Sequence, residues 1–92
     1  MVSRRVTVTN SLGMHARAAA RFVHAATQFR SQIRVAHGTR VIDGKSIMGI
    51  LLLAAARGTE LVITADGPDE TDAVNALCRL VETGLGEDPC SV

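Results

Sequence analysis

The chain has 92 residues, of which 47% are apolar, and its 10 lysines and arginines against 9 acids give a net charge of +1. This length suffices for one compact domain but not for two, and the near-neutral charge, with two Phe and no Tyr or Trp, excludes a basic, aromatic nucleic-acid surface. No apolar run approaches the ~20 residues of a membrane span or follows the N-terminal arginines as in a secretory signal, so we expect a cytoplasmic protein with no membrane insertion.

We expect a single domain over residues 1–92, with an ordered core at about 3–84 and a C-terminal tail at 85–92. Cys78 falls within an apolar helical pattern and Cys90 within the tail, and their spacing matches no zinc or thioredoxin motif. Both cysteines are therefore expected to be reduced thiols without a functional role.

The first two predicted elements are a strand and an amphipathic helix. Val6 and Val8 alternate with polar residues, which indicates a half-buried strand that ends near Asn10. From Ala16 the apolar period becomes helical, with a buried stripe and a largely basic opposite face. The stripe comprises Ala19, Phe22, Val23, Ala26 and Phe29, and the opposite face comprises Arg17, Arg21, His24 and Gln28.

The next predicted elements are a hairpin and a short helix. Alternating segments at 32–35 and 41–42 predict two strands that are joined by a turn at residues 37–39. The apolar segment after Ser46 predicts a short helix that is stopped at Gly58.

The last predicted elements are a strand over residues 61–65 and a helix that begins after Asp69 and ends at Gly84. The resulting order, βαββαβα, gives each helix one apolar stripe to bury, and a single helical layer on one face of an antiparallel sheet satisfies this requirement. The sequence therefore predicts an α+β fold. The apolar positions of the last helix are Ala73, Val74, Leu77, Leu80 and Val81.

The stretch NSLGMHARAAA places His15 between a bend at Gly13 and the helix formers from Ala16 onward. The imidazole is expected at the helix N-cap, beside the backbone N–H groups of Ala16, Arg17 and Ala18. Those groups and the helix dipole favour an anion, and the Arg17 guanidinium suits phosphate oxygens. His15 offers no capping oxygen, and a cation such as Arg17 is unfavourable at this end of the helix dipole. We therefore expect that these two residues are present for function and not for helix stability.

A nucleophilic nitrogen beside anion-stabilising groups predicts a site that carries a phosphoryl group covalently, with no cofactor. A histidine without special chemistry is the simplest alternative. A metal site is disfavoured, because His24 and His37 fall on other predicted elements and no acid lies near His15. Serine or cysteine nucleophilic catalysis lacks its usual motifs.

Gly44-Lys45-Ser46 ahead of a helix has the ending of a nucleotide-binding P-loop but not its spacing, since residue 39 is threonine and not glycine. Ser46 is most simply the N-cap of the second helix. A phosphate on this serine would also be stabilised at a helix start. Both roles remain open for Ser46.

The second predicted helix is more apolar than one buried stripe requires. We expect some of its remaining apolar side chains to face solvent and to dock partner proteins, the alternative being that all of them fill the core. The expected buried stripe comprises Ile47, Ile50, Leu53 and Ala54, and the remaining residues are Met48, Leu51 and Leu52.

The motif GMHARAA, followed further along by DGKSIMGILLLAAARGTEL, resembles the HPr family, the histidine-containing phosphocarrier proteins of the bacterial phosphotransferase system. The resemblance covers residues 3–84 in one register. It implies an open-faced β-sandwich in which a four-stranded antiparallel sheet of order 1-4-2-3 carries three helices on one face.

This resemblance implies that His15 accepts a phosphoryl group from phosphoenolpyruvate-charged enzyme I and passes it to the A domains of enzymes II. Arg17 matches the motif arginine, and Ser46 matches the serine phosphorylated by HPr kinase/phosphorylase. We expect a monomeric carrier with a transient phosphohistidine and not a stand-alone enzyme. The expected docking residues are Met14, Arg21, His24, Ile47, Met48, Leu51 and Leu52.

Two features depart from the usual family pattern. Ala18 replaces the proline of H-A-R-P-A, which returns one backbone N–H to the first helical turn. The loop at residues 10–13 resembles that of nitrogen-type relatives, and Leu12 lacks the polar side chain often found in sugar carriers. Sugar uptake and nitrogen-type regulation therefore both remain open.

A function of another class also remains open: a non-enzymatic regulator that binds partners through Met48 and Leu51, with His15 vestigial. A small-ligand-binding α+β regulatory domain is disfavoured, because such a domain needs no arginine beside one histidine at a helix start.

Overall fold

The computed structural model describes residues 1–86, whose elements follow the predicted order βαββαβα. The end of the expected tail, with Cys90, lies outside the described residues. The strands are β1 (Val2–Thr7), β2 (Gln32–His37), β3 (Arg40–Asp43) and β4 (Glu60–Asp66), and the helices are α1 (Ala16–Ala26), α2 (Ile47–Leu52) and α3 (Glu70–Glu82).

The four strands form one antiparallel sheet in the order β1-β4-β2-β3. The register places Val6 beside Leu61 and Val35 beside Ile63, so that apolar side chains of neighbouring strands share one face. All four of these residues are buried, and Ile33 beside them is fully buried as well. The predicted open-faced sandwich and its strand order are confirmed.

The first helix, α1, buries the stripe that its sequence predicts. Ala19, Phe22 and Ala26 are fully buried, and Val23 is 8% exposed. Phe29 lies beyond the end of the helix and packs, partly buried, against the same core. The opposite face is exposed as predicted and comprises Arg17, Arg21, His24 and Gln28.

The second helix, α2, is shorter than predicted. It ends at Leu52 and does not run to Gly58, and Ala54 has a positive φ of 49°. The chain leaves the helix because its backbone has partners elsewhere: the Ala55 carbonyl accepts the Met14 N–H at 2.8 Å. The apolar periodicity of residues 47–58 does not reveal the pairing of Ala55 with Met14, and the predicted helix was therefore too long.

The predicted buried stripe of α2 is only partly correct. Ile50 and Leu53 are buried, but Ile47 is 44% exposed and Ala54 is also exposed. Ile47 is the first residue of the helix, whereas Ala54 lies beyond the end of the helix and therefore outside its buried stripe.

The core extends past the boundary predicted at residue 84. Leu85 is fully buried, held between Gly84 and Gly86, which both have positive φ angles. The assignment of residue 85 to the tail was therefore wrong. Cys78 is buried in the core, and this burial raises the pKa of its thiol. Within residues 1–86, no helix is both long and apolar enough to cross a membrane.

Candidate functional site

The loop before α1 sets the position of His15. Gly13 has a φ of +65°, and a Cβ added there would lie 2.5 Å from the Ala55 carbonyl oxygen, so the bend requires glycine. Asn10 is buried and donates a hydrogen bond from Nδ2 to the Gly13 carbonyl at 2.6 Å. Together with the bond from the Met14 N–H to Ala55, these contacts attach the loop to the segment after α2.

His15 is the N-cap residue of α1, where the sequence places it. Its backbone is extended, its carbonyl accepts the Ala19 N–H at 2.8 Å, and its Nδ1 accepts the Arg17 N–H at 3.3 Å. The cap has no side-chain oxygen, as the sequence indicates, and the imidazole nitrogen takes the place of the usual capping oxygen. With Nδ1 accepting, a neutral ring carries its proton on Nε2.

The first turn of α1 is electrostatically suited to an anion. It contains no acidic residue, and the Arg17 side chain is exposed. The ion pairs found among residues 1–86 involve Met1 and Arg5 but not Arg17. Ala16 is exposed, whereas Ala18 is fully buried and places its Cβ in the core. The helix dipole and the guanidinium therefore both make the potential at His15 positive.

Five of the predicted docking residues are exposed side chains on α1 and α2, two helices that pack against each other. On α2, Met48 is 67% exposed, Leu52 59% and Ile47 44%. These three residues are called the α2 patch below. On α1, Arg21 and His24 are exposed on the basic face that the sequence predicts.

The two other predicted docking residues are placed differently. Met14 is only 4% exposed and belongs to the hydrophobic core, because the loop before α1 folds back on the chain at Ala55. Its assignment to a docking surface was therefore wrong. Leu51 is partly buried and packs against the core, so it can contribute only an edge of the surface.

Ser46 is the N-cap of α2, as the simpler of its two predicted roles requires. Its Oγ accepts the Gly49 N–H at 3.1 Å, and its carbonyl accepts the Ile50 N–H at 3.0 Å. The neighbouring Lys45 donates from Nζ to the Phe29 carbonyl at 2.8 Å, which ties this loop to the turn after α1. Lys45 thus has a structural contact in place of the phosphate contact of a P-loop lysine.

Within residues 1–86, no cluster of three or more His, Cys, Asp or Glu side chains could hold a metal ion.

Residues 2–83 match the family model PTS-HPr, described as the phosphorylation site of the HPr component of the phosphotransferase system. The chain belongs to the HPr family. It is 42% identical to the phosphocarrier protein HPr of Cupriavidus necator over 95% of this chain and 98% of that protein. It is 43% identical to the HPr of Xylella fastidiosa over 96% and 99% of the two chains.

Solved HPr structures have the same fold. The structure of HPr-C-His from Thermoanaerobacter tengcongensis superposes with a TM-score of 0.91 at 40% identity and covers 96% of this chain and 99% of that one. An HPr from Bacillus anthracis gives a TM-score of 0.84 at 39% identity, over 87% and 95% of the chains. The protein is therefore a phosphocarrier of the HPr family, and the family predicted from its two motifs is confirmed.

Proposed function

We propose that His15 accepts a phosphoryl group from enzyme I charged by phosphoenolpyruvate and passes it to the A domain of an enzyme II. The observation that carries this proposal is the position of His15 Nδ1, which lies 3.3 Å from the Arg17 amide nitrogen at the start of α1. The protein acts in the cytoplasm as a carrier and turns over no substrate by itself.

The nitrogen that takes the phosphoryl group is Nδ1. Its lone pair is directed at the N-terminal end of α1, so the oxygens of a phosphoryl group bound to it lie among backbone N–H groups. The hydrogen bond from the Arg17 N–H to Nδ1 is released, and the bond from Nδ1 to phosphorus forms while the bond from phosphorus to enzyme I breaks. Because the proton of the neutral ring is on Nε2, the step requires no proton to leave His15. The permanently charged Arg17 stabilises the transferring group.

Partner proteins dock on the α2 patch and on the exposed basic face of α1. Exposed apolar side chains on a small domain favour protein contacts, and the flexible Met48 side chain adapts to more than one partner surface. Arg21 and His24 extend the surface from the patch along α1. Enzyme I and enzyme IIA use this surface in turn, since each must bring its reacting group to His15.

Ser46 is the site of regulatory phosphorylation by HPr kinase/phosphorylase. Its hydroxyl directly precedes Ile47 and Met48 of the α2 patch. A phosphate adds about −1.5 to −2 charge at pH 7, and a partner that covers the patch must then desolvate this charge. Phosphorylation of Ser46 therefore lowers phosphoryl acceptance at His15 through docking.

A second candidate function is a regulator that acts by binding alone. The exposure of Met48 and Leu52 favours it, because a docking surface serves such a protein equally well. The output of the relay, sugar uptake or nitrogen-type regulation, depends on which enzyme IIA the surface accepts.

Incubation of the purified protein with active enzyme I and labelled phosphoenolpyruvate separates the two functions. The carrier takes up acid-labile, alkali-stable phosphate, His15→Ala takes up none, and the control His37→Ala, at an exposed position on β2, is labelled as the parent is. Arg17→Ala is labelled more slowly but remains folded. Full labelling of His15→Ala would contradict the acceptor assignment, and an unlabelled parent would support the regulator.

The role of Ser46 is tested in the same assay with Ser46→Asp, which places a charge beside the α2 patch. We expect weaker binding to enzyme I and slower labelling of His15, with the melting temperature retained. Thr71→Asp, an exposed position in the first turn of α3, is the charge-matched control. Equal labelling rates for Ser46→Asp and the parent would leave Ser46 as a helix cap only.

A further inference from the structure

The helix that carries the docking patch depends on contacts from outside itself. α2 has six residues, of which only Ile50 is buried, whereas isolated helices shorter than about 12–15 residues are marginal in water. Its last turn contains no basic residue that could stabilise the exposed carbonyl groups. Any cation that stabilises the C-terminal end of α2 must therefore come from another element.

Arg40 supplies this cation. It is the first residue of β3, and its Nη1 donates a hydrogen bond to the carbonyl oxygen of Leu52, the last residue of α2. The contact places a permanent positive charge at the negative end of the helix dipole. Since Leu52 is 59% exposed and belongs to the α2 patch, the bond lies at the edge of the docking surface.

We propose that Arg40 is a positioning residue for partner docking. By holding the Leu52 carbonyl it stabilises the last turn of α2, and thereby the directions in which the Met48 and Leu52 side chains point toward a partner. Arg40 is exposed, and a guanidinium has five N–H donors, so it also offers a partner carboxylate a binding point at this edge of the patch. The inference rests on the proposed docking role of the α2 patch.

The first measurement is amide hydrogen exchange at the end of α2, which does not depend on any partner. The Leu53 N–H donates to the Ile50 carbonyl at 3.2 Å and the Ala54 N–H donates to the Leu51 carbonyl at 3.0 Å, so these two amides report on the last turn. Arg40→Met is expected to accelerate their exchange about two- to fivefold, the range of an exposed charge at a helix end. Arg40→Lys keeps the charge and is expected to restore part of the protection.

The second measurement is phosphoryl acceptance from enzyme I as a function of protein concentration. Arg40→Met is expected to raise the KM for the protein about two- to fivefold with kcat unchanged, because docking is weakened and the chemistry at His15 is not. Arg34→Met is the charge-matched control, since Arg34 is exposed on the adjacent strand β2 and its register partner is Asp43. It should leave both the exchange rates and KM as in the parent.

The outcomes separate this inference from the proposed function. If Arg40→Met has the exchange rates and the KM of the parent, the positioning role of Arg40 is overturned. A raised KM with unchanged exchange rates would also overturn it, because Arg40 would then be a charge contact without a positioning role. A parent protein that accepts no phosphoryl group from active enzyme I would overturn the proposed function and the docking role with it, while the exchange rates would still decide whether Arg40 holds α2.

Discussion

The helices α1 and α2 begin in similar ways but are held in place by different means. Each has a side-chain acceptor at its N-cap, His15 Nδ1 in α1 and Ser46 Oγ in α2, and neither has an acid in its first turn. However, α1 has 11 residues and buries five of them, whereas α2 has six residues and buries one. Packing holds α1, and contacts at its ends hold α2.

The magnitudes explain how α1 tolerates a histidine at its start. Full burial of a side chain such as Phe22 or Val23 contributes about 1.5–3 kcal/mol, whereas a good N-cap contributes about 1 kcal/mol and a charge at a helix end about 0.3–1 kcal/mol. α1 can therefore tolerate a weak imidazole cap and the unfavourable Arg17. α2 has much less buried apolar surface to offset a weak cap, and its N-cap is a serine, a standard capping residue.

The largest expected effect tests whether the bend in the loop before α1 requires glycine at position 13. Gly13→Ala should lower the free energy of unfolding by about 2–5 kcal/mol, because it combines a left-handed backbone with a clash against the Ala55 carbonyl oxygen. Gly38→Ala is the matched control, with a φ of +62° and open space around the added Cβ. It should cost only the backbone term, about 1–2 kcal/mol. Denaturant unfolding measures the free energy of unfolding of both variants. Equal losses of stability would show that the clash with Ala55 does not contribute.

The third helix offers a start of another kind. Asp69 is the N-cap of α3 but makes no capping bond with its side chain, and its carboxylate accepts the N–H groups of Arg30 and Ser31, each at 2.9 Å, and the Ser31 hydroxyl. These bonds, above all the one from the Ser31 hydroxyl, lower the pKa of Asp69 to about 2. The helix start is thereby joined to the loop after α1.

This lowered pKa predicts how the contribution of Asp69 depends on pH. A carboxyl whose folded pKa is about 2 and whose ordinary value is 3.8 stabilises the fold fully above the ordinary value. The stabilisation is lost as the pH falls towards 2. Asp69→Asn should therefore melt below the parent at pH 7, and the difference should shrink steadily between pH 4 and pH 2. Melting curves at three pH values decide, and a difference that stays constant would contradict the assignment.

Much of this architecture could be predicted from the sequence because its signals are local. Ala19, Phe22 and Ala26 reveal their shared face through their spacing alone, and His15 and Ser46 stand where apolar helical periodicity begins. The same local signals predicted that His15 and Ser46 stand at the starts of their helices.

The features that the sequence did not predict depend on partners that are distant along the chain. The bond from Ser31 to Asp69 spans 38 residues and that from Arg40 to Leu52 spans 12, so no periodicity connects them. The end of α2 was misjudged for the same reason, since it depends on the pairing of Met14 with Ala55. Side-chain geometry could not be predicted from the sequence either, because only the structure shows that His15 caps the helix through Nδ1.

A smaller effect tests the dependence of α2 on its cap. Ser46→Ala removes the acceptor of the Gly49 N–H and should lower the free energy of unfolding by about 1 kcal/mol. Ser46→Asp retains an acceptor at the same place and should stay within about 0.5 kcal/mol of the parent. Chemical denaturation of the three proteins measures the difference. A Ser46→Ala protein as stable as the parent would mean that packing, and not the cap, holds α2.

The smallest expected effect compares the two ends of α1 with one substitution. His15→Asp provides a carboxylate oxygen at the N-cap beside the positive end of the helix dipole, so the free energy of unfolding should rise by about 0.5–1 kcal/mol while phosphoryl acceptance from enzyme I is lost. His24→Asp makes the same change of charge in the last turn of the helix, where the dipole is negative. It should lower the free energy of unfolding by about 0.3–1 kcal/mol and leave His15 able to accept the phosphoryl group. Changes of opposite sign in the free energy of unfolding at the two ends of α1 would show that His15 is kept at a cost in stability. An unaltered or lowered stability of His15→Asp would disprove this.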